Sequence, residues 1–355
     1  MKTPNSWTIY DIAREAGVSA KTVSRVLNGK AGVKESTRAK ILNIMRQVEY
    51  HPHIGARALR GKRQGCIGIT VPAPVNVAPL SQSFFIWLFG ELFRLFGPRG
   101  EYLCFDMNPF AALPNPDYAR GLWQQLYKAC IIVGPLALGD KTVVKIHQSG
   151  VPYIVFGRLD GFPECSTATV DYDEGCYIST KYLINKGHRR IALLKAFSGY
   201  QPGLERRRGY LRALEEVGIP PDENLIRSVN FGARNIANVV HRLLVQSEVT
   251  ALLDCSGVED AWSIREGSRR AGKFPGKDFE VVSWTYADNG VVLSEASAHV
   301  WLPVREAASD GLEQLADWIE GKRNGPISVV YRPVLYEGLA GEEVPKPKRL
   351  FDVLE

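Results

Sequence analysis

Residues 9–27 read IYDIAREAGVSAKTVSRVL. Ile9, Ile12, Ala13 and Ala16 recur at helical spacing. Thr8 supplies a capping hydroxyl, and Asp11 three residues later completes a box-like start. Gly17 offers the left-handed conformation that ends a helix. Val18 then plugs the turn, Ser19 caps a second helix, and Val23, Val26 and Leu27 face inward. Small Ala13 and unhindered Gly17 let two short helices cross closely, so the spacing predicts a helix-turn-helix. Further on, Ile41, Ile44, Met45 and Val48 lay an apolar stripe along a third helix over about 35–48. Lys21 and Arg25 give the second helix a basic outer surface that an ordinary helical hairpin in an enzyme would not need.

The charge distribution points the same way. Residues 1–65 hold 13 Lys/Arg against 4 Asp/Glu, whereas the remainder is mildly acidic, within a chain of net charge +6. A basic head on an acidic body implies a polyanionic partner for one end only. The 355 residues suffice for two or three domains, and 45% hydrophobic with 23% charged residues excludes a disordered, collagenous or disulfide-stapled chain. No pair among the six cysteines forms a C-x-x-C, and the N-terminus lacks the apolar stretch of a signal peptide, so a reduced, cytoplasmic protein is expected. The longest apolar run, Phe84 to Phe96, is broken by Glu91 and Arg94 and is too short to span a bilayer.

From Cys66 onward, strand-like runs (66–71, 102–107, 129–134, 153–157, 190–195, 250–255, 279–284) alternate with helical stretches (83–97, 117–128, 173–186, 204–217, 232–247, 258–271, 304–320). This alternation predicts two doubly wound parallel-sheet α/β lobes, with a ligand site in the cleft beyond the strand ends. The domain reading is therefore 1–52 for the helical head, 53–65 for a hinge helix and linker, 66–340 for the two-lobed body and 341–355 for a tail without heptads. Neither a phosphate-binding loop nor a G-x-G-x-x-G is present, and the six histidines show no metal-ligand spacing, so no cofactor is expected. An α/β enzyme fused to a DNA-reading head stays open as an alternative that a turnover assay would detect.

The stretches TIYDIAREAGVSAKTVSRVLNG (8–29) and VKESTRAKILNIMRQVEYHPHIGARALRGKRQGCIGI (33–69) resemble the N-terminus of the LacI/GalR, or lactose-repressor-type, family of transcription regulators. Weaker likenesses continue in VPYIVFGR (151–158), TVDYDEGCYISTKYLINKGHRRIALL (169–194), ERRRGYLRALEEVGIPPDENLI (205–226) and VVYRPVLYEG (329–338). The resemblance implies a periplasmic-binding-protein-like body whose chain passes between lobes near 160–165, 290–298 and 323–328. It places the helix opening at Ser19 in the major groove, with Ala20, Lys21 and Arg25 facing base edges. Thr8, Ser19, Thr22, Ser24 and Asn28 would hold phosphates, and Tyr50 would meet the backbone at the end of the third helix. HIGARALR (53–60) would be the hinge helix, with His53 and Arg57 touching groove and backbone and Leu59 wedged into the minor groove. Lys34 departs from the family's capping Ser, and Gly55 weakens the hinge helix.

For the body, the resemblance implies an effector pocket containing Arg206, Phe231, Phe84 and Trp284. Ser256-Gly257 stands where the family has Asn-Asp, and Ser283-Trp284-Thr285-Tyr286 where it has Gly-Phe-Asp-Asp. Ser256 and Thr285 thus replace its polar ligands, and a carboxylate that commonly takes sugar hydroxyls is missing. A larger, less hydroxylated or anionic ligand would suit the pocket better than an unbranched hexose. The helix at 83–97 is apolar nearly all round, so a homodimer on a pseudo-palindromic operator is expected, with a sugar or related metabolite as effector. An inducer-released repressor, an activator and a co-repressor-dependent regulator are not separated by sequence.

Overall fold

In a computed structural model the described residues are 7–27, 30–48, 50, 65–72, 82–106, 118–196, 199–229, 233–256, 261–285 and 293–337. The chain divides into two compact units, Met1–Gly65 and Cys66–Glu355. The first contains helices α1 (Ile9–Ala16), α2 (Ala20–Leu27) and α3 (Glu35–Gln47). Thr8 and Asp11 form a reciprocal capping box: the Thr8 hydroxyl donates to Asp11 Oδ2 at 2.7 Å and accepts from the Asp11 N–H at 3.3 Å. Gly17 takes φ 69°, and the Val18 N–H reaches back to the Ala13 carbonyl at 2.9 Å, closing α1 with a Schellman motif. Ser19 accepts the Thr22 N–H at 3.1 Å and so starts α2. Ile12, Ala13, Ala16, Val23, Val26, Ile41 and Ile44 make the buried core of this head. Lys34 makes no capping bond to α3, consistent with its departure from a capping residue.

The second unit contains two six-stranded sheets. In chain order its elements are β1 (Cys66–Thr70), α4 (Gln82–Phe96), β2 (Leu103–Asp106), α5 (Arg120–Trp123), β3 (Tyr127–Val133), α6 (Thr142–Gln148), β4 (Tyr153–Phe156), β5 (Thr167–Val170), α7 (Tyr172–Asn185), β6 (Ile191–Lys195), α8 (Gln201–Glu215), β7 (Ile226–Ser228), α9 (Ala233–Gln246), β8 (Ala251–Cys255), α10 (Ala261–Arg270), β9 (Glu280–Thr285), β10 (Ala298–Trp301), α11 (Val304–Ile319), β11 (Ser328–Tyr331) and β12 (Val334–Tyr336). The first sheet runs β11-β5-β4-β3-β1-β2 and the second β12-β10-β9-β8-β6-β7. Every neighbouring pair is parallel except β10 and β12. Apolar clusters cover both faces of each sheet, which is the doubly wound arrangement the alternation predicts.

Three corrections follow. The helix expected over 117–128 is only the short α5, and Tyr127 already belongs to β3. The Tyr127 ring lies where Cβ atoms on Gly68 and Gly121 would sit, at 2.4 and 2.2 Å, so the aromatic is keyed to two glycines and held in the sheet. The three lobe crossings come later than the resemblance implies. Residues 160–165 only lead into β5, a further strand of the first sheet, so the first crossing is at Asp171 between β5 and α7. Likewise β10 still belongs to the second sheet and β11 to the first, so the other crossings are at 302–303 and 332–333. Strands β5, β7, β10, β11 and β12 and helix α6 were not anticipated.

Candidate functional site

On the head, α2 is held by Val23 and Val26 and turns Lys21 and Arg25 outward, both exposed, with Ala20, Thr22 and Ser24 half-buried between them. Ser19 and Thr22 share a hydroxyl hydrogen bond of 3.0 Å at the exposed N-terminus of α2, a place suited to a phosphate oxygen. The Thr8 hydroxyl is engaged by Asp11, so its first task is capping. Arg25 Nη2 donates to the Ala31 carbonyl at 2.7 Å and lies against Gly32, at φ +88°, where a Cβ would come within 2.9 Å of it. That contact holds the guanidinium along the loop before α3. Tyr50 is half-buried on the head's core, its N–H bonded to the Met45 carbonyl at 2.9 Å. Asn28, His53, Arg57 and Leu59, and with them the hinge, lie outside the described residues.

In the body, α8 carries Arg206 into the interior. Its buried stripe comprises Gln201, Glu205, Arg206, Gly209, Tyr210, Ala213 and Leu214. Arg206 is 1% exposed, so it is not a solvated member of a charged run. Its guanidinium carbon lies 4.6 Å from the Tyr172 ring centroid and 5.1 Å from that of Trp284, and Nη1 donates to the Pro202 carbonyl at 3.0 Å. Tyr172 and Trp284 stack at 6.1 Å and 17°, and Trp284 Nε1 donates to the Ser179 hydroxyl at 3.3 Å. Ser256 and Thr285 are buried at the carboxyl ends of β8 and β9, with the Ser256 N–H bonded to Asp254 Oδ1 at 3.0 Å. The fold thus brings Arg206 and Trp284 into contact and sets Ser256 and Thr285 at the same edge of the sheet. Phe84, by contrast, packs in the first lobe against Trp87 and Phe156, with centroids 5.6 and 6.5 Å away. Phe231 lies outside the described residues.

The lobes meet across this edge. Ala137 and Tyr200 form an isolated bridge, the Gln201 N–H donates to the Leu136 carbonyl at 3.0 Å, and the Leu138 N–H donates to that of Gly199 at 3.1 Å. Arg158, just past β4, approaches Glu205 at 4.0 Å. Glu205 is 1% exposed, and among the described residues neither of its oxygens has a hydrogen-bond partner, nor has Gln201 Nε2 one turn earlier. Burial pushes the Glu205 carboxyl up to about 7 against the opposing pull of Arg158. Sequence reasoning missed Tyr172, Gln201 and Glu205. A signal for two of them existed: the apolar stripe through Tyr210 and Leu214, extended back by helical turns, lands on Arg206, and the one through Gly209 on Glu205 and Gln201.

A helix-turn-helix head and a two-lobed α/β body define the architecture of a DNA-binding protein. Residues 8–53 match the family described as bacterial regulatory proteins, lacI family, and 114–283 match the periplasmic binding proteins and sugar binding domain of LacI family. The chain is 27% identical over 338 residues to the HTH-type transcriptional regulator DegA of Bacillus subtilis, covering 92% of this chain and 96% of that one. Among solved structures it resembles a lac repressor dimer bound to operator and the anti-inducer ONPF (20% identity, TM-score 0.72, 94% and 98% of the two chains). It also resembles a transcriptional regulator CelR–cellobiose complex (23% identity, TM-score 0.62, 94% and 100%). The chain belongs to the LacI/GalR family and is a DNA-binding transcriptional regulator. Among the described residues no helix is long and apolar enough to cross a membrane, and no group of three or more His, Cys, Asp or Glu is placed to hold a metal ion.

Proposed function

We propose that this regulator is a repressor that grips a pseudo-palindromic operator as a homodimer and is controlled by a small molecule, a sugar or sugar derivative, bound between the lobes. The observation that carries the effector reading is the buried Arg206 layered on Tyr172 and Trp284 at the carboxyl ends of the second sheet. A guanidinium fork on an aromatic platform suits hydroxyl or oxyanion recognition. A cellobiose-bound structural relative supports the carbohydrate class. On the head, Lys21 and Arg25 read base edges beside Ala20, while Ser19, Thr22 and Ser24 hold phosphates. Sequence position alone assigns Asn28 and Thr8 to phosphates, Tyr50, His53 and Arg57 to backbone and groove, and Leu59 to the wedge.

The dimer reading rests on one face of α4. Ile86 and Phe93 are exposed to 72% and 71%, and the Phe89 ring packs 4.9 Å from that of Phe105 on the edge strand β2, tilted by 34°. Contiguous apolar surface of this kind marks an interface. The test is operator titration with and without members of a panel of sugars, sugar acids and sugar phosphates. An effector that weakens operator binding identifies an inducible repressor; one that strengthens it identifies a co-repressor. Arg206→Ala should keep operator binding and lose the response, and a variant that still responds normally would remove Arg206 from the pocket.

A further inference from the structure

Lys195 is the last residue of β6 and is 8% exposed. In the parallel register it stands level with Cys255 of β8, and one further step along β8 and β9 brings Trp284 into the same row. Paired residues of parallel strands share a face, so Lys195, Cys255 and Trp284 line the face that α7 and α8 cover, where Tyr172 and Arg206 also sit. The Cys255 sulfur touches that of Cys176 on α7 at 3.4 Å, which fixes the packing of this floor. Among the described residues the Lys195 ammonium has no hydrogen bond or ion pair. A lysine is rarely this deeply buried without a partner.

We propose that Lys195 and Arg206 together form a seat for the anionic oxygen group, carboxylate or phosphate, of the effector. This rests on the reading of the cleft as the effector site and sharpens it from sugars in general to sugar acids or sugar phosphates. Two cations held in a low-dielectric pocket repel each other until an anion enters between them, and each then gives charge-assisted hydrogen bonds. Burial, reinforced by the charges of Arg206 and Arg207, already holds the Lys195 ammonium below the ordinary lysine range. The N-terminus of the 15-residue helix α8 adds a positive dipole end, with Tyr200 providing no side-chain cap. Nothing in a neutral hexose offsets the desolvation of the Lys195 ammonium as an oxyanion does. The absence of the family's usual carboxylate at Thr285 removes one acidic group that would otherwise repel an anion at this edge.

The test uses the full-length protein and matched triads: glucose, glucuronate and glucose 6-phosphate, and galactose, galacturonate and galactose 6-phosphate. Melting temperature and operator release are read for wild type and Lys195→Met. At least one acid or ester should raise the melting temperature while its neutral parent at equal concentration does not. Response to the acid alone assigns a carboxylate; response to the ester alone assigns a phosphate. Lys195→Met should weaken that anion by about ten- to a hundredfold. It should keep operator affinity and melt, without ligand, no lower than wild type, because a desolvated cation has been removed. Neutral sugars binding as well as their acids, or anion affinity unchanged within about twofold in Lys195→Met, would overturn the seat while leaving the effector cleft standing. Silence from every triad, neutral and anionic alike, would count against the cleft as a sugar-type effector site as well.

Discussion

At the scale of the residue, position on a helix decides whether a charge reads DNA, strains the fold or waits for a ligand. Arg25 projects from α2 and among the described residues is tethered through the Ala31 carbonyl, so freed from that bond it can swing to a guanine edge, where a bidentate contact discriminates by roughly 1–3 kcal/mol. Arg25→Ala should therefore lower affinity chiefly at one base position in each half-site, measured by titrating single-position operator variants. Uniform loss across all variants would reassign the side chain to the backbone. Glu205 is the opposite case, a carboxyl sealed at the lobe boundary and pushed up to about 7. Unfolded, it would lose its proton in the ordinary carboxylate range. Between that range and pH 7 the folded form binds more protons, so this group lowers stability as pH rises through the interval and adds no further change above it. Glu205→Gln should remove that fall and be more stable than wild type at pH 8 by about 3 kcal/mol, with the gap closing toward pH 5. A gap in melting temperature that stays constant over pH 5–8 would show that the carboxyl ionises freely.

At the scale of the element, α7 and α8 pack so closely that glycine is required between them. A Cβ on Gly209 would lie 1.9 Å from the Asp173 carbonyl oxygen and 3.0 Å from the Tyr177 nitrogen. Neither is a side-chain tip that can rotate away. Gly209→Ala should push the helices apart, lower the melting temperature by several degrees and loosen the Tyr172–Arg206–Trp284 layer, read as a rise in solvent exposure of Trp284 by fluorescence quenching. An unperturbed emission would place the slack elsewhere. The elements legible in the sequence were those with a local signature: the Thr8–Asp11 box, Gly17, and strands such as Ile191–Lys195 that carry a run of apolar residues. Strands β5 (TATV), β7 (IRS) and β12 (VLY) have three or four residues each. Their extended form comes from pairing with distant neighbours, which no local pattern records. The same dependence on sheet membership explains why the lobe crossings were set too early. In the site, Arg206 was legible, but ERRR reads as one charged run until the register of α8 separates buried Glu205 and Arg206 from exposed Arg208. Lys195 was read as the end of a strand, because only the three-dimensional row through Cys255 and Trp284 shows what it faces.

At the scale of the whole molecule, the exposed side of α4 is where the proposed dimer would tie the body to the way DNA is bound. Two recognition helices on one operator must stand about 34–36 Å apart, one turn of duplex, and a single chain supplies only one of them. Ile86, Phe89 and Phe93 on α4, with Phe105 on β2, present the apolar surface that would join a second copy. In an isologous pairing each such residue meets the same patch of its twin. Phe93→Asp would set a carboxylate into both copies of that apolar patch, where it would be desolvated on pairing, at little cost to the monomer because Phe93 is 71% exposed. Sedimentation should then show a monomer at micromolar concentration where the proposed function expects the wild type to sediment as a dimer. Each head would neutralise its phosphates alone, so the slope of log affinity against log salt should fall to about half. Affinity for a palindrome should drop toward that for a single half-site. A Phe93→Asp protein that sediments as a monomer yet binds the palindrome with the wild-type slope and strength would show that one chain suffices. The apolar face of α4 would then need another occupant.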